Sequence, residues 1–486
     1  MSVRPRRLSI PPVILSLALV LGAQEADLAE RLFRSGERAY GARSHAEALE
    51  TWNQLLQQAP TSPFAAQALL RMARHFAEVE QKPEAALPLL DRIKAEHMAT
   101  PWAAEALLMR GRLLASRAAK PSDLREAVAE FHRMVDLFPD HAAVPEARLQ
   151  LGLAAARQTQ WDRALVHLAD VLRLDPATPI AAQAWLQMAE CLDWMGDLEG
   201  CLRLLQGLRS AHPERPEAAE AAWRLAVRVK HRLIRPPFRS TGPWPAGRQK
   251  WLKTPTLLGT GADGGLFIYQ SDLDRAFRLT GSELAASGGT AKDARALVVG
   301  PGHQAWLLTR TGVVKGEGEV WPLPEGASNP VGACRDAWGQ LWVADGKVGT
   351  LTLLSPEGQP RSLPSPAAVA LAGLPSGGAV LASDANRSLL FLDAVGQTRF
   401  TVPYGQGLPK AFTSVVALCS DPVGHVAALV DGAFEGVVLW GPDGTLLRHA
   451  TLESLGLKGR FRAIALDREG GVILADRSND LLIRLD

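Results

Sequence analysis

The sequence predicts a multidomain α and β protein, with helical hairpins in residues 24–234 and an all-β repeat in residues 248–486. Glycine usage divides the two halves, because eight of the 43 glycines precede residue 236. Glycine costs about 1 kcal/mol in a helix interior relative to alanine but suits tight turns. Between the halves lies the segment RPPFRSTGPWPAG, residues 235–247. Its four prolines cannot continue a helix, so the segment is predicted to be a linker.

The composition argues against two classes of protein, nucleic-acid binders and disulfide-rich proteins. The 486 residues hold 53 Lys and Arg against 51 Asp and Glu, a net charge of +2. This balance, without a basic patch, does not indicate a nucleic-acid partner. Four cysteines are too few for a disulfide framework in a chain of this length.

The first 23 residues are predicted to form a signal peptide. Three arginines, at positions 4, 6 and 7, precede an apolar run from Ile10 to Leu21 and the small pair Gly22-Ala23. The run is shorter than the roughly 20 residues that span a bilayer. We expect cleavage after Ala23 and a periplasmic or secreted protein; the alternative is an uncleaved anchor. No cysteine follows the small residues, so a lipid anchor is not expected.

Residues 26–234 repeat with a helical period. Small residues recur at steps of 37 to 41 residues, at Gly36, Ala73, Gly111, Gly152, Ala189 and Ala226. In most units a second small residue follows after 12 positions and a proline or histidine after 12 more. The pattern resembles tetratricopeptide repeats, here of the type found in exported proteins of bacterial envelopes. The resemblance implies five helical hairpins and a closing helix, packed as an α-solenoid with a groove for a protein or peptide.

Residues 248–486 repeat with a β period. Apolar strand-like runs end at equivalent positions 36 to 47 residues apart, at Gln270, Thr309, Asp345, Asp384, Asp431 and Asp476. Turns such as Asp336-Ala-Trp-Gly339 precede them, and a second apolar run follows most of them. The pattern resembles NHL-type β-propellers, which implies six blades of four short strands. The sixth blade supplies three strands, so we expect Arg248–Thr254 to complete it as the outer strand.

The resemblance to tetratricopeptide repeats also places candidate partner-binding residues on the groove. Positions one or five after the first small residue usually face the concave surface, and charged or aromatic residues occupy several of them: Glu37, Arg74, Arg112, Arg157, Glu190 and Trp194. Arg74, Arg112 and Arg157 could pair with an acidic segment or a C-terminal carboxylate. The alternative is a solvated charged face.

No catalytic or metal-binding pattern is found in either half. The aspartates at positions 345, 384, 431 and 476 could ring a cation, but we favour hydrogen bonding to their own loops. His303, His425 and His449 occupy unrelated blade positions and are expected at solvated turns or edges. Similar six-bladed enzymes use asparagine-containing metal sets, whereas this half has only Asn329, Asn386 and Asn479. We therefore expect no cofactor and no catalytic residues.

The four cysteines leave one question of pairing open. Cys334 and Cys419 are expected in the core. Cys191 and Cys201 lie on neighbouring predicted helices, where an oxidising compartment would permit a disulfide; the alternative is two core thiols.

The sequence predicts a non-catalytic scaffold. We expect the solenoid groove to bind a protein or peptide and the propeller to bind a second, unknown ligand. Two alternatives remain open: a hydrolase or lyase acting in the propeller channel, and a protein that binds carbohydrate or cell wall. Envelope assembly is the setting that the resemblance implies.

Overall fold

The computed structural model describes residues 12–118, 123–174, 176–245, 249–261, 263–281, 283–316, 318–355 and 360–486, with side chains described from residue 27 onward. The predicted basic segment of the signal peptide lies outside these ranges. The chain forms two compact units, one of residues 1–116 and 124–150 and one of residues 117–123 and 151–486. Within the described ranges, no helix is long and apolar enough to cross a membrane.

Eleven α-helices precede the β-strands within the described ranges. They are α1 (Pro12–Gly41), α2 (His45–Gln58), α3 (Pro63–Arg74), α4 (Pro83–Glu96), α5 (Trp102–Arg117), α6 (Leu124–Leu137), α7 (Val144–Arg157), α8 (Trp161–Leu174), α9 (Pro179–Trp194), α10 (Leu198–Ala211) and α11 (Pro216–Arg228). Short π-helical turns extend α3 over His75–Val79 and α11 over Val229–Ile234. The order matches the predicted five hairpins and closing helix.

Small residues allow the two helices of a hairpin to approach closely, as predicted. A Cβ atom at Gly36 would overlap the ring of Trp52, and one at Gly111 would overlap the ring of Phe131. At Gly152 the added atom would lie 2.6 Å from Cγ of Leu168. Each glycine therefore makes room for a large side chain of the facing helix, which is buried in all three cases.

In the first unit, an ionic cluster joins the helices α4, α5 and α6. Arg110 donates to Asp91 and Glu126, each at 2.7 Å, and to Glu130 at 3.1 Å. Glu130 is 2 % exposed and also pairs with Lys94 at 2.6 Å. Because a buried carboxylate is stable only with such partners, the cluster fixes the packing of these helices.

In the described part of the C-terminal half, 24 strands form six antiparallel sheets. They are β1 (Ser240–Pro243), β2 (Pro255–Thr260), β3 (Leu266–Gln270), β4 (Arg275–Thr280), β5 (Glu283–Thr290), β6 (Ala296–Val299), β7 (Ala305–Leu308), β8 (Gly312–Lys315), β9 (Glu319–Pro322), β10 (Pro330–Arg335), β11 (Leu341–Asp345), β12 (Thr350–Leu354), β13 (Pro360–Pro364), β14 (Ala370–Gly373), β15 (Ala379–Ser383), β16 (Ser388–Leu392), β17 (Thr398–Pro403), β18 (Phe412–Ser420), β19 (Val426–Gly432), β20 (Gly436–Trp440), β21 (Leu446–Thr451), β22 (Phe461–Leu466), β23 (Val472–Asp476) and β24 (Leu481–Leu485).

These sheets are the six blades of a β-propeller. Each has four strands, and the first strands β2, β6, β10, β14, β18 and β22 contact their neighbours in a closed ring. The second strands are buried on both faces; all five residues of β11, Leu-Trp-Val-Ala-Asp, are buried. Neighbouring blades cover both faces of each sheet, which explains the near-continuous apolar runs.

The ring closes with a strand that precedes the first blade, but not with the predicted segment. β1 lies beside β24, with Ser240 opposite Leu485 and Pro243 opposite Ile483. Arg239 and Asp486 exchange backbone hydrogen bonds of 3.2 and 3.0 Å. The prediction of Arg248–Thr254 is wrong: residues 249–254 form no strand, and Arg248 lies outside the described ranges. The prolines of residues 235–247 cannot continue a helix, which predicts a linker, but an edge strand tolerates them.

Candidate functional site

A cleft of about 590 Å³ lies at one mouth of the propeller channel, within the second unit. Its floor comes from the ends of five inner strands, with the terminal residues Thr260, Val299, Arg335, Gly373 and Ser420. Gln187, Glu190 and Trp194 of α9 and Arg224 of α11 line the opposite wall. The size is within the range of roughly 300–1,000 Å³ that is typical of ligand sites.

Two tryptophans form the aromatic part of the wall. Trp194 ends α9 and lies 4.9 Å from the ring of Trp161. Trp338 lies in the turn before β11, and the guanidinium carbon of Arg157 lies 5.7 Å from its ring centre. Both tryptophans are half-buried, and the indole Nε1 of Trp194 is buried with no hydrogen-bond partner among the described residues.

A buried ionic network fixes the helical wall. Arg228 is fully buried and donates to Glu190 and to Asp193, each at 2.7 Å. Glu190 also accepts from Arg224 at 2.7 Å, and Arg232 donates to Asp193. All four carboxylate oxygens of Glu190 and Asp193 therefore have cationic partners. Such pairing is what allows charges to remain in a buried site.

On the propeller side, Asp336 is committed to its own blade. It is 3 % exposed and accepts hydrogen bonds from the amides of Trp338 at 2.9 Å and Gln340 at 3.0 Å and from Nε1 of Trp342 at 3.1 Å. Burial raises the pKa of Asp336 above its ordinary value, against the effect of these bonds. The turn needs Gly339, whose φ is +87°, in the left-handed region.

Arg335 is the cation of the cleft that lacks a carboxylate partner. Among the six inner-strand ends it is the one charged residue, and no ion pair or side-chain hydrogen bond joins it to any described residue. Its Nε is buried without an acceptor. Burial lowers its pKa, although the neighbouring Asp336 acts in the opposite direction.

A second buried cluster lies where the chain leaves α11. The ring centres of His231 and His425 are 5.0 Å apart, and both residues are fully buried. Nδ1 of His425 is 2.7 Å from Asp421, and Nδ1 of His231 is 3.3 Å from Arg448. Burial, with further effects of His425 and Arg448, lowers the pKa of His231 to about 3. The sequence-based placement of His425 at a solvated turn is therefore wrong, whereas His303 and His449 are exposed.

The predicted groove residues have different environments. Arg112 is exposed, and Arg74 forms an ion pair with Glu105. Arg157 is 7 % exposed and donates to the carbonyl of Ala118, so its predicted place on an open groove is wrong. The reason is that the blade turn containing Trp338 covers it. Trp194 and Glu190 do line a cleft, with the propeller as its other wall.

The remaining predicted groups have structural environments. Asp345 and Asp476 accept from the amides of their own loops, for example from Lys347 at 2.7 Å and from Ser478 at 2.9 Å. Asp384 instead accepts from Tyr404, Ser414 and Val415, and Asp431 from Gly432. In the parts of the chain that are described, no set of three His, Cys, Asp or Glu side chains could hold a metal ion.

The cysteines are free thiols. Burial raises the pKa of Cys191 and of Cys201 to about 12, so both are protonated at neutral pH. The structure has no bond between them and favours two core thiols.

Comparison with known proteins agrees with the helical repeat. Residues 155–223 match the tetratricopeptide repeat family model. The helical half is built of tetratricopeptide-type hairpins. No curated protein matches the sequence.

Solved structures resemble one half of the chain each. A streptogramin B lyase is 12% identical with a TM-score of 0.39, covering 51% of this chain and 97% of its own. The tetratricopeptide protein YrrB, described as having an unusual peptide-binding site, is 18% identical with a TM-score of 0.32, covering 42% and 96%. Virginiamycin B lyase from Staphylococcus aureus is 10% identical with a TM-score of 0.37, covering 51% and 98%. Likenesses this distant carry no activity or ligand to this chain.

The sequence analysis does not predict that Arg335 and Trp338 line a cleft. It also does not predict the ionic network around Arg228. Arg335 had a readable signal, since it directly precedes the Asp-Ala-Trp-Gly turn and ends an inner strand. The network had none, because its members are spread over 43 residues of ordinary helix composition, from Glu190 to Arg232.

Proposed function

We propose that this chain is a non-catalytic interaction scaffold, in which the helical repeats bind a protein or peptide and the propeller binds a second partner. One observation supports it most. The cleft carboxylates Glu190, Asp336 and Asp421 are engaged by internal partners, so their oxygens are not free for acid or base chemistry. The cleft combines aromatic side chains with the cation of Arg335, and such a lining is suited to binding a ligand.

Capture of partners by the tagged full-length protein from envelope extracts tests the scaffold. We expect the Arg74→Glu, Arg112→Glu double variant to lose part of the set of co-purifying proteins, because exposed charges select partners but hold little of the fold. The matched control is Arg203→Glu, Arg209→Glu on α10, with the same change of charge. Identical sets for wild type and both variants would contradict binding at these positions.

The alternative of a channel hydrolase or lyase would rely on His303, which lines the cleft and lies 3.3 Å from Asp263. If the purified protein turns over a substrate and His303→Gln abolishes that activity, the protein is an enzyme and the scaffold proposal is wrong. Carbohydrate binding would require retention on cell-wall polysaccharide columns.

We further propose that the protein is exported and works in the bacterial envelope. The support is the basic segment, the short apolar run and the pair Gly22-Ala23. The intact mass of native protein should correspond to a chain beginning at Gln24. A mass that includes Met1 or Ser2 would contradict cleavage.

A further inference from the structure

Arg335 is half-buried and presents a guanidinium without an ion-pair partner among the described residues. It lines the channel-mouth cleft, its Nε is buried, and no described carboxylate forms an ion pair with it. Taking a cation out of water without a counter-ion is costly, and a fold usually avoids it by pairing. By contrast Arg228, in the helical wall, is fully buried and pairs with two carboxylates. Among the described residues, the Arg335 guanidinium therefore remains available to pair with a carboxylate of a ligand.

The nearby acidic groups do not supply that partner. Asp336 directs its oxygens to three donors of its own blade, as described above. Asp421 accepts from the amide and the ring of His425, at 2.8 and 2.7 Å. Glu190 is held by Arg224 and Arg228. Among the described residues that line the cleft, Arg335 is therefore the cation with open donors for an entering anion. A guanidinium favours planar, bidentate carboxylates.

The cleft adjoins a second cavity. This cavity, of about 260 Å³, shares Trp194, Leu374 and Pro375 with the larger one and is also lined by Phe400 of blade four. The three shared residues are apolar. Two adjoining cavities accommodate an extended chain better than a single small anion.

We propose that this cleft binds a peptide segment of a partner protein, with a carboxylate of that segment paired to Arg335 and its chain running past Trp194. The inference rests on the proposed scaffold function and specifies the class of ligand that the scaffold binds. An acidic sugar is the less suitable occupant, because stacking needs an open aromatic face. Trp194 and Trp338 are half-buried and already packed against Trp161 and Arg157.

The test measures binding of fluorescent short peptide pools to the purified full-length protein. One pool has a free C-terminal carboxylate and the other a C-terminal amide; a second pair carries Asp and Glu or Asn and Gln inside the sequence. Arg335→Gln is compared with wild type, and Arg310→Gln is the matched control. Arg310 is exposed in the β7–β8 turn, at the other end of its blade.

We expect one carboxylate pool to bind at least about tenfold more tightly than its neutral counterpart, and Arg335→Gln to remove that preference. Arg310→Gln should retain it. The first pair of pools tests a terminal carboxylate and the second an acidic side chain. Because no described residue forms an ion pair with Arg335, Arg335→Gln should leave the melting temperature unchanged or raise it, whereas a structural role would lower it.

Equal binding of acidic and neutral pools, or a preference that survives Arg335→Gln, would overturn the inference. So would binding of acidic oligosaccharides such as oligogalacturonate without binding of any peptide pool. If wild type binds no peptide but still captures proteins through the exposed arginines of the helical repeats, this inference fails and the scaffold function stands.

Discussion

At the scale of single residues, the second unit contains buried charges of two kinds. Arg228, Glu190 and Asp193 neutralise one another, and their arrangement can be explained by the fold alone. The half-buried Arg335 and the fully buried pair His231 and His425 have side-chain nitrogens that are buried and lack partners among the described residues. Groups of the second kind make stability depend on a ligand, as at Arg335, or on pH, as at His231.

His231 should make the protein less stable in acid. Its pKa is about 3 in the folded state and near 6.5 in the unfolded state. Between these two values the imidazole is protonated in the unfolded chain but neutral in the folded chain. Stability is therefore full above about pH 6.5 and falls as the pH drops towards 3, by at most about 1.4 kcal/mol per pH unit. Asp421, His425, Arg448 and Lys230 surround the ring and contribute to its pKa.

Denaturant melts of His231→Asn between pH 4 and 7 check this. The variant should lose part of the pH dependence of wild type, while His449→Asn, an exposed control, keeps it. The same slope in wild type and His231→Asn would show that other groups dominate.

At the scale of elements, helix pairs depend on glycine at the contact. Gly111→Ala should destabilise the protein by about 1–3 kcal/mol, because its Cβ would overlap the Phe131 ring, which is fully buried and cannot move away cheaply. Gly41→Ala is the matched control, since nothing lies within 4 Å of its added atom and alanine favours helix. Thermal melts that show equal effects of both substitutions would contradict the close-packing explanation.

The strand β1 should determine the stability of the propeller edge. A chain beginning at residue 236 keeps Phe238 in the core and β1 beside β24. One beginning at residue 249 loses both and exposes the edge of β24, so it should melt lower and associate. Melting and light scattering compare the two; identical behaviour would contradict closure through Ser240–Pro243.

At the scale of the whole molecule, repetition made the architecture predictable. Spacing of small residues such as Gly36 and Gly111 reports helix contacts, and turns such as Asp336–Gly339 mark the blades, because each repeat reuses its local chemistry. The cleft was less predictable. Arg157 follows its repeat pattern and His425 stands in a blade turn, yet both are buried, Arg157 near Trp338 and His425 against His231. The spacing of residues along the sequence predicts contacts within one repeat and between neighbouring repeats. It does not predict which residues become buried between a helical repeat and a propeller blade.

The central claim is that helices of the tetratricopeptide repeats and the propeller mouth form one binding site. Photo-crosslinking tests it directly, with p-benzoylphenylalanine replacing Trp194 on the helical wall or Trp338 on the propeller wall of the full-length protein. The two positions should crosslink to the same partner, and Arg310, at the other end of its blade, should not. Different partners at the two walls, or crosslinks at Arg310 alone, would contradict a shared site.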